Sequence, residues 1–223
     1  MKAKLFLILP ILAVFLFTGC NEDDPVLEAQ DGYKRENNFN KPGDDTIFDI
    51  VAAALPDEFT NLYDAIVYVD TELDAGLVEA IQSEDLQLTV FAPTDEAFEE
   101  LLTYLDRVRP DETIDDITDV PAPIVLAVLQ YHLTNGRRAS NSVVPRNGPK
   151  TIQTLLPNAS FTVDNEAKIT PVATASPDPV QIGPGDPPAF NISASNGVIH
   201  VIDAVLLPLA PGDILALWDE LED

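Results

Sequence analysis

Between Leu86 and Leu105 the hydrophobic period changes without a linker. Leu86, Leu88 and Val90 alternate with Gln87 and Thr89, the pattern of a strand. Phe98, Leu101, Leu102 and Leu105 then repeat at i, i+3, i+4 and i+7, the stripe of an amphipathic helix. At the junction stands Ala92-Pro93-Thr94-Asp95. Pro93 disfavours helix at Ala92. Thr94 offers its hydroxyl to the free N–H groups of the next turn, and Asp95 and Glu96 put negative charge at the positive end of the helix dipole. A strand over Leu86–Phe91 is therefore expected to turn directly into a helix over Thr94–Asp106, so the chain must pack a helix back on a sheet at this point.

The flanking segments fit that requirement unevenly. Before the junction, Thr46 caps a helix with Ile47, Ile50, Val51 and Ala54 on its apolar face, ended by Pro56. Phe59, Leu62, Ile66 and Val69 predict a second helix, and Leu73, Leu77 and Ile81 a short third. After an acidic, turn-like stretch over Asp111–Asp119, Pro121 or Pro123 opens a helix carrying Ile124, Val125, Val128 and Leu129, which runs to Tyr131-His132-Leu133 and stops by Gly136. Helical periodicity then ceases. Thr151–Leu155, Ser160–Val163, Lys168–Val172, Pro179–Ile182, Ala189–Ser193 and Gly197–Leu206 read as short strands between Pro, Gly and Asn turns. The proline-rich Ala173–Pro188 reads as a rigid protruding loop or irregular hairpin. Asp213 caps a last amphipathic helix with Ile214, Leu217, Trp218 and Leu221. The layout is α+β, with helices in the N-terminal half packed on a β-sheet wedge formed largely by the C-terminal half.

The first residues read as an address rather than as fold. Lys2 and Lys4 precede an apolar run, Leu5–Phe17, that is shorter than the roughly 20 residues a bilayer-spanning helix needs. Phe17-Thr18-Gly19-Cys20 resembles the bacterial lipobox, with phenylalanine where leucine is usual. Cys20 is the chain's single cysteine and sits where the thioether lipid would be attached. Residues 1–19 are thus expected to be a lipoprotein signal peptide, and the membrane a partner through covalent lipid (palmitate among its acyl chains) at Cys20. Asn21-Glu22-Asp23-Asp24 resembles the surface-export signal of Bacteroidetes-type lipoproteins or is simply a solvated linker. Residues 20–45 form an acidic, flexible tether. The domain follows over 46–208, and residues 209–223 hold the C-terminal amphipathic helix.

Composition narrows the functions. With 12 Lys+Arg against 38 Asp+Glu the formal charge is −26. That balance opposes nucleic-acid binding, which needs clustered basic residues. One cysteine allows no internal disulfide and no cysteine-rich zinc site, and two histidines leave little material for acid–base chemistry. No Gly-x-Ser-x-Gly elbow and no EF-hand pattern is present. Neither a catalytic residue, nor a metal site, nor a cofactor is expected.

Three segments together resemble the fasciclin domain. Thr89-Val90-Phe91-Ala92-Pro93-Thr94-Asp95-Glu96-Ala97-Phe98 is similar to its first signature and Tyr131-His132 to its central Tyr-His motif. Asn196-Gly197-Val198-Ile199-His200-Val201-Ile202-Asp203, followed by Val205-Leu206-Leu207-Pro208, is similar to its second. The resemblance spans about Asp45 to Pro208 and implies a compact α+β domain that acts outside the cell in adhesion and in matrix or partner binding, with no shared catalytic activity. It also implies Tyr131 and His132 as partner-binding residues, since the family's Tyr-His segment is linked to adhesion. The other reading of His132 is a structural histidine, hydrogen-bonded in or near the core with Tyr131 packed beside it. The apolar face of the preceding helix favours the second. His200 shares a strand face with Val198 and Ile202, which points to a buried, paired imidazole. Asp203, three residues on, falls on the opposite face and forms no dyad with it.

The resulting expectation is a non-enzymatic, lipid-anchored binding or adhesion module of the outer membrane, displayed at the cell surface to an unknown protein or polysaccharide partner and not to nucleic acid. Two rivals stand beside it. One is a periplasm-facing accessory lipoprotein for envelope assembly or transport. The other is a hydrolase with an unrecognised site built around His132.

Overall fold

A computed structural model describes residues 42–55, 57–176, 178–184 and 189–222. Cys20, the signal peptide, most of the tether and Pro56 lie outside the described residues.

The N-terminal helices are α1 (Ile47–Ala53), α2 (Thr60–Leu73) and α3 (Leu77–Gln82). Thr46 caps α1 as expected, and Asp49 completes a reciprocal capping box. Leu73 does not belong to the third helix. It ends α2 and is exposed, because Asp74 and Gly76 both take left-handed backbone and break the chain there.

Strand β1 (Leu88–Pro93) leads through Thr94 into α4 (Asp95–Val108), the junction legible in the sequence. A 3₁₀ turn (Ile117–Asp119), α5 (Ala122–Tyr131), β2 (Leu133–Asn135) and a short α6 (Ser140–Val143) follow. The remaining strands are β3 (Lys150–Gln153), β4 (Ser160–Val163), β5 (Lys168–Thr170), β6 (Ala173–Thr174), β7 (Val180–Gln181), β8 (Ile192–Ala194), β9 (Gly197–Ile202) and β10 (Leu206–Leu207). The chain ends in α7 (Pro211–Glu222), which starts two residues before Asp213, so Asp213 lies in its first turn rather than at its cap.

One sheet has the order β2-β1-β9-β8 and another β3-β4-β5-β7, while β6 pairs with β10. Strands β1 and β9 run parallel, with Leu88 opposite Gly197 and Pro93 opposite Ile202. Both are buried along their whole length. The alternation that marks β1 as a strand thus does not expose one face. Leu88, Val90 and Ala92 meet the helices, while Phe91 and the β9 residue Ile202 meet the second sheet. Phe91 stands edge-on to Phe161 at 5.0 Å in that second core. The Ala173–Pro188 segment is stitched in at β6 and β7, and Gly183 N–H donates to the Val201 carbonyl at 2.8 Å. Its described part is less of a protrusion than its prolines suggest.

Candidate functional site

The Tyr-His motif closes α5 and turns inward. Tyr131 is fully buried and His132 is 3 % exposed. The His132 Nδ1 lies 2.7 Å from the Val128 carbonyl, which can only accept, so Nδ1 carries the proton. Nε2 then accepts from Leu206 N–H at 2.9 Å. Both ring nitrogens are spent, the tautomer is fixed and the ring is neutral. Burial pushes its pKa down to about 4, against the partial support of the Val128 carbonyl. Tyr131 O–H donates to the Ser160 carbonyl at 2.9 Å and accepts from Val172 N–H at 3.2 Å. The pair joins α5 to β10, β4 and the end of β5. Neither side chain offers a surface to a partner, and the geometry is that of the structural reading.

His200 is held the opposite way. Its Nε2 donates to the Arg138 carbonyl at 2.8 Å and its Nδ1 accepts from Asn191 N–H at 3.4 Å. Burial holds this imidazole down to about 4 as well. Asp203 is exposed and accepts from Gln181 N–H at 2.7 Å, away from His200. A base needs a free nitrogen within reach of a proton to be moved, and neither histidine has one.

The sequence reading missed the groups that tie the signatures together. Asn196 is fully buried, and its Oδ1 accepts from Ile47 N–H at 2.8 Å. Its Nδ2 donates to the carbonyls of Ile81 at 2.7 Å and Ser83 at 3.1 Å. One side chain thereby closes the start of α1 and the end of α3. Gly197 beside it has no room for a Cβ, which would stand 2.2 Å from the Leu88 carbonyl oxygen. Thr94 caps α4 through Ala97 N–H as expected. Asp95 instead reaches across to α2 and accepts from the backbone N–H groups of Thr60 at 3.1 Å and Asn61 at 2.8 Å. Asp70 does the same for Leu77 and Val78 at the start of α3. Both helices lack a cap of their own. That lack, with an acid one residue beyond a good Thr cap, was the available signal.

A cavity of about 40 Å³ lies between α2, α4, α5 and α7. Phe98, Leu105, Val125, Leu129, Ile214 and Trp218 line it, with His132 in its wall. The helix α7 closes it by burying Ile214 and Trp218. Arg109 holds that helix from outside. It pairs with Asp219 at 2.7 Å and Glu222 at 2.9 Å, and its guanidinium lies 4.5 Å from the centre of the Trp218 ring. The cavity is apolar, and the single imidazole in its wall is already committed.

The inward-turned signature residues are matched by the comparison with known families, in which the profile of the fasciclin domain covers residues 57–208. The chain belongs to the fasciclin family. The immunogenic protein MPB70 of Mycobacterium bovis is 31 % identical over 160 residues, covering 72 % of this chain and 68 % of that protein. Human periostin is 28 % identical over 156 residues, 65 % of this chain but 15 % of its own length. The fasciclin domain pair from the insect cell adhesion molecule fasciclin I superposes with a TM-score of 0.52 at 18 % identity, over 76 % of this chain and 52 % of that one. The fold of this fasciclin domain is the α+β arrangement expected, with helices in the N-terminal half and sheets in the C-terminal half. Helix α1 precedes the matched region and α7 follows it, yet both pack on the same core.

Proposed function

We propose that this protein is a lipid-anchored adhesion module of the bacterial outer membrane, acylated at Cys20 and presenting its fasciclin domain to a protein or glycan partner at the cell surface without catalysis. One observation carries the reading. The residues that could do chemistry in the family signatures, His132, His200 and Tyr131, spend their polar atoms inside the fold. What such a domain presents outward is surface, and recognition is what a surface does. The relation to a domain pair from an insect cell adhesion molecule supports the same reading.

The test is made in intact cells. Mass spectrometry of the protein purified from membranes is expected to find it beginning at an acylated Cys20, and Cys20→Ala is expected to release the protein from the membrane. External protease is expected to remove the domain from intact cells. Protection until the outer membrane is broken would replace display with the periplasm-facing accessory role. An unmodified thiol at Cys20 would remove the anchor. Failure of the purified chain to enrich any partner from envelope or matrix extracts above a charge-matched acidic control would remove the adhesion role.

A further inference from the structure

The chain's acids are unevenly spread. It holds 38 Asp and Glu, yet none lies between Asp119 and Asp164. Four of the seven Lys and Arg beyond residue 41 fall inside that gap: Arg137, Arg138, Arg146 and Lys150. None of the four has a carboxylate within ion-pair distance among the described residues.

The fold gathers these residues at one end of the molecule. Thr134 Oγ1 donates to the Gln153 carbonyl at 2.6 Å and Leu155 N–H to the Leu133 carbonyl at 2.7 Å, so the end of β2 lies beside the end of β3. The connection between them, 136–149, must leave and return on the same side. The Lys150 ammonium closes it by donating to the Ser142 carbonyl. Arg137 is consumed by Ser193 and the carbonyls of Ala194 and Ser195. Arg138 uses Nε on the Asn135 carbonyl at 2.9 Å, which leaves its terminal nitrogens, and Arg146 is exposed and unpaired. Next to this loop lies the outer face of the second sheet. Thr151, Thr162 and Thr170 stand in register across three strands, with Gln153 opposite Ser160. Acids border the region at Asp164 and Glu166, where Lys168 pairs with Glu166 at 2.7 Å, at Glu84 and Asp85 shortly before Gln87, a partner of Arg137, and at Asp45, whose carbonyl accepts from Ser195 N–H.

We propose that the loop 136–149, with Lys150 and the threonine face of β3–β5, is a docking surface for an acidic polysaccharide, a polymer of uronate-type sugars. This rests on the adhesion reading and names its partner. Guanidinium forks suit carboxylates, and hydroxyl and amide side chains suit sugar hydroxyls. Salt screens the repulsion of the acidic remainder beyond about 8 Å, which leaves the acid-free face as the place of approach. Two other polyanions fit less well. The aromatic residues of this stretch, Tyr131 and Phe161, are buried, so no platform stacks bases. Of the exposed large apolar side chains among the described residues, Val172 just beyond β5 and Leu86 beside Gln87 border it and Leu209 lies outside it, and single side chains at a border give little to insert into lipid.

The test uses the full-length chain on immobilised polygalacturonate, with dextran as the neutral control and anionic phosphatidylglycerol vesicles as the rival. Binding to polygalacturonate and not dextran is expected, weakening roughly tenfold between about 50 and about 200 mM salt. The triple variant R138Q/R146Q/K150Q is expected to lose about tenfold or more while keeping the wild-type circular dichroism and a cooperative melt. R146E alone, at an exposed turn, serves if the triple variant fails to fold, and is expected to weaken binding severalfold. No binding to polygalacturonate, binding unchanged in the variants, or vesicle binding that is lost in the triple variant would overturn the proposal. If partner capture from extracts persists in any of those cases, the adhesion reading stands and only this surface is wrong.

Discussion

The signature region and the C-terminal helix are attached to the same core by opposite means. Around Asn196, Asp95 and His132, buried or half-buried polar atoms find designated partners, most of them on another element distant in sequence, the buried Ser195 hydroxyl being the exception among the described residues. Helix α7 is attached by two buried side chains and by ion pairs whose acids are half or more exposed. A satisfied buried network is expensive to disturb, because each orphaned group keeps its desolvation cost. A pair whose acid stands in solvent is worth little and yields to salt, although Arg109 itself is largely covered. The signature region should therefore fail together with the whole fold, and α7 should be able to come away alone.

The sharpest break of that contrast is Gly197→Ala. Its Cβ would meet the Leu88 carbonyl oxygen at 2.2 Å and the Ile47 side chain at 2.6 Å, and the first of these is the backbone of a central strand. Loss of cooperative folding is expected, seen as the absence of a thermal transition by circular dichroism. Asn196→Ala orphans the Ile47 N–H and the carbonyls of Ile81 and Ser83 and should cost about 3 kcal/mol or more.

Acid probes the same network without mutation. Each imidazole sits near pKa 4 in the fold and returns to its ordinary 6.5 when the chain unfolds. The unfolded state therefore binds two protons that the folded state refuses. Stability from this source is full above about pH 6.5, falls as the pH drops toward 4, and levels below it, with roughly 3 kcal/mol lost per imidazole. Urea midpoints from pH 7.5 to 4 should fall over that window although acid also relieves the chain's negative charge. Imidazole NMR signals that titrate near pH 6.5 in the folded protein would contradict the burial argument.

The sequence showed where elements lie better than what holds them. The helix stripes, the cap at Thr94 and the strand over Ser160–Val163 were readable because each rests on neighbours in the chain. Strands β2 and β6 were not, being two or three residues long and defined by partners elsewhere, nor was α6, a single turn too short to show a period. The resemblance located Tyr131 and His132, but their direction depends on Ser160 and Val172 for the tyrosine and on β10, more than seventy positions away, for the histidine. The second role of Asp95 is hidden in the sequence for the same reason. Its charge does lie at the start of α4, but its oxygens serve α2.

Asp95 supplies the next comparison. Asp95→Ala removes the acceptor for two backbone N–H groups of α2 and should cost about 2 kcal/mol, whereas Thr94→Ala, which removes one cap bond, should cost about 1 kcal/mol. Denaturant unfolding of the two variants checks the order. Equal losses would mean that Asp95 acts only through the α4 dipole.

The smallest effect should be the most local. Trp218 is the chain's only tryptophan, so its fluorescence reports on α7 while circular dichroism reports mainly on the remainder. Arg109→Ala removes the pairs to Asp219 and Glu222 and the contact over the indole, at a cost of about 1 kcal/mol. Ile214 and Trp218 still cap the apolar cavity, so the domain should stay folded. In the variant the fluorescence transition is expected to shift to lower urea than the circular dichroism transition, and high salt should bring the wild type toward the same split. Coincident transitions in both proteins would show that α7 is bound to the domain as tightly as the signatures are, and the distinction between the two attachments would collapse.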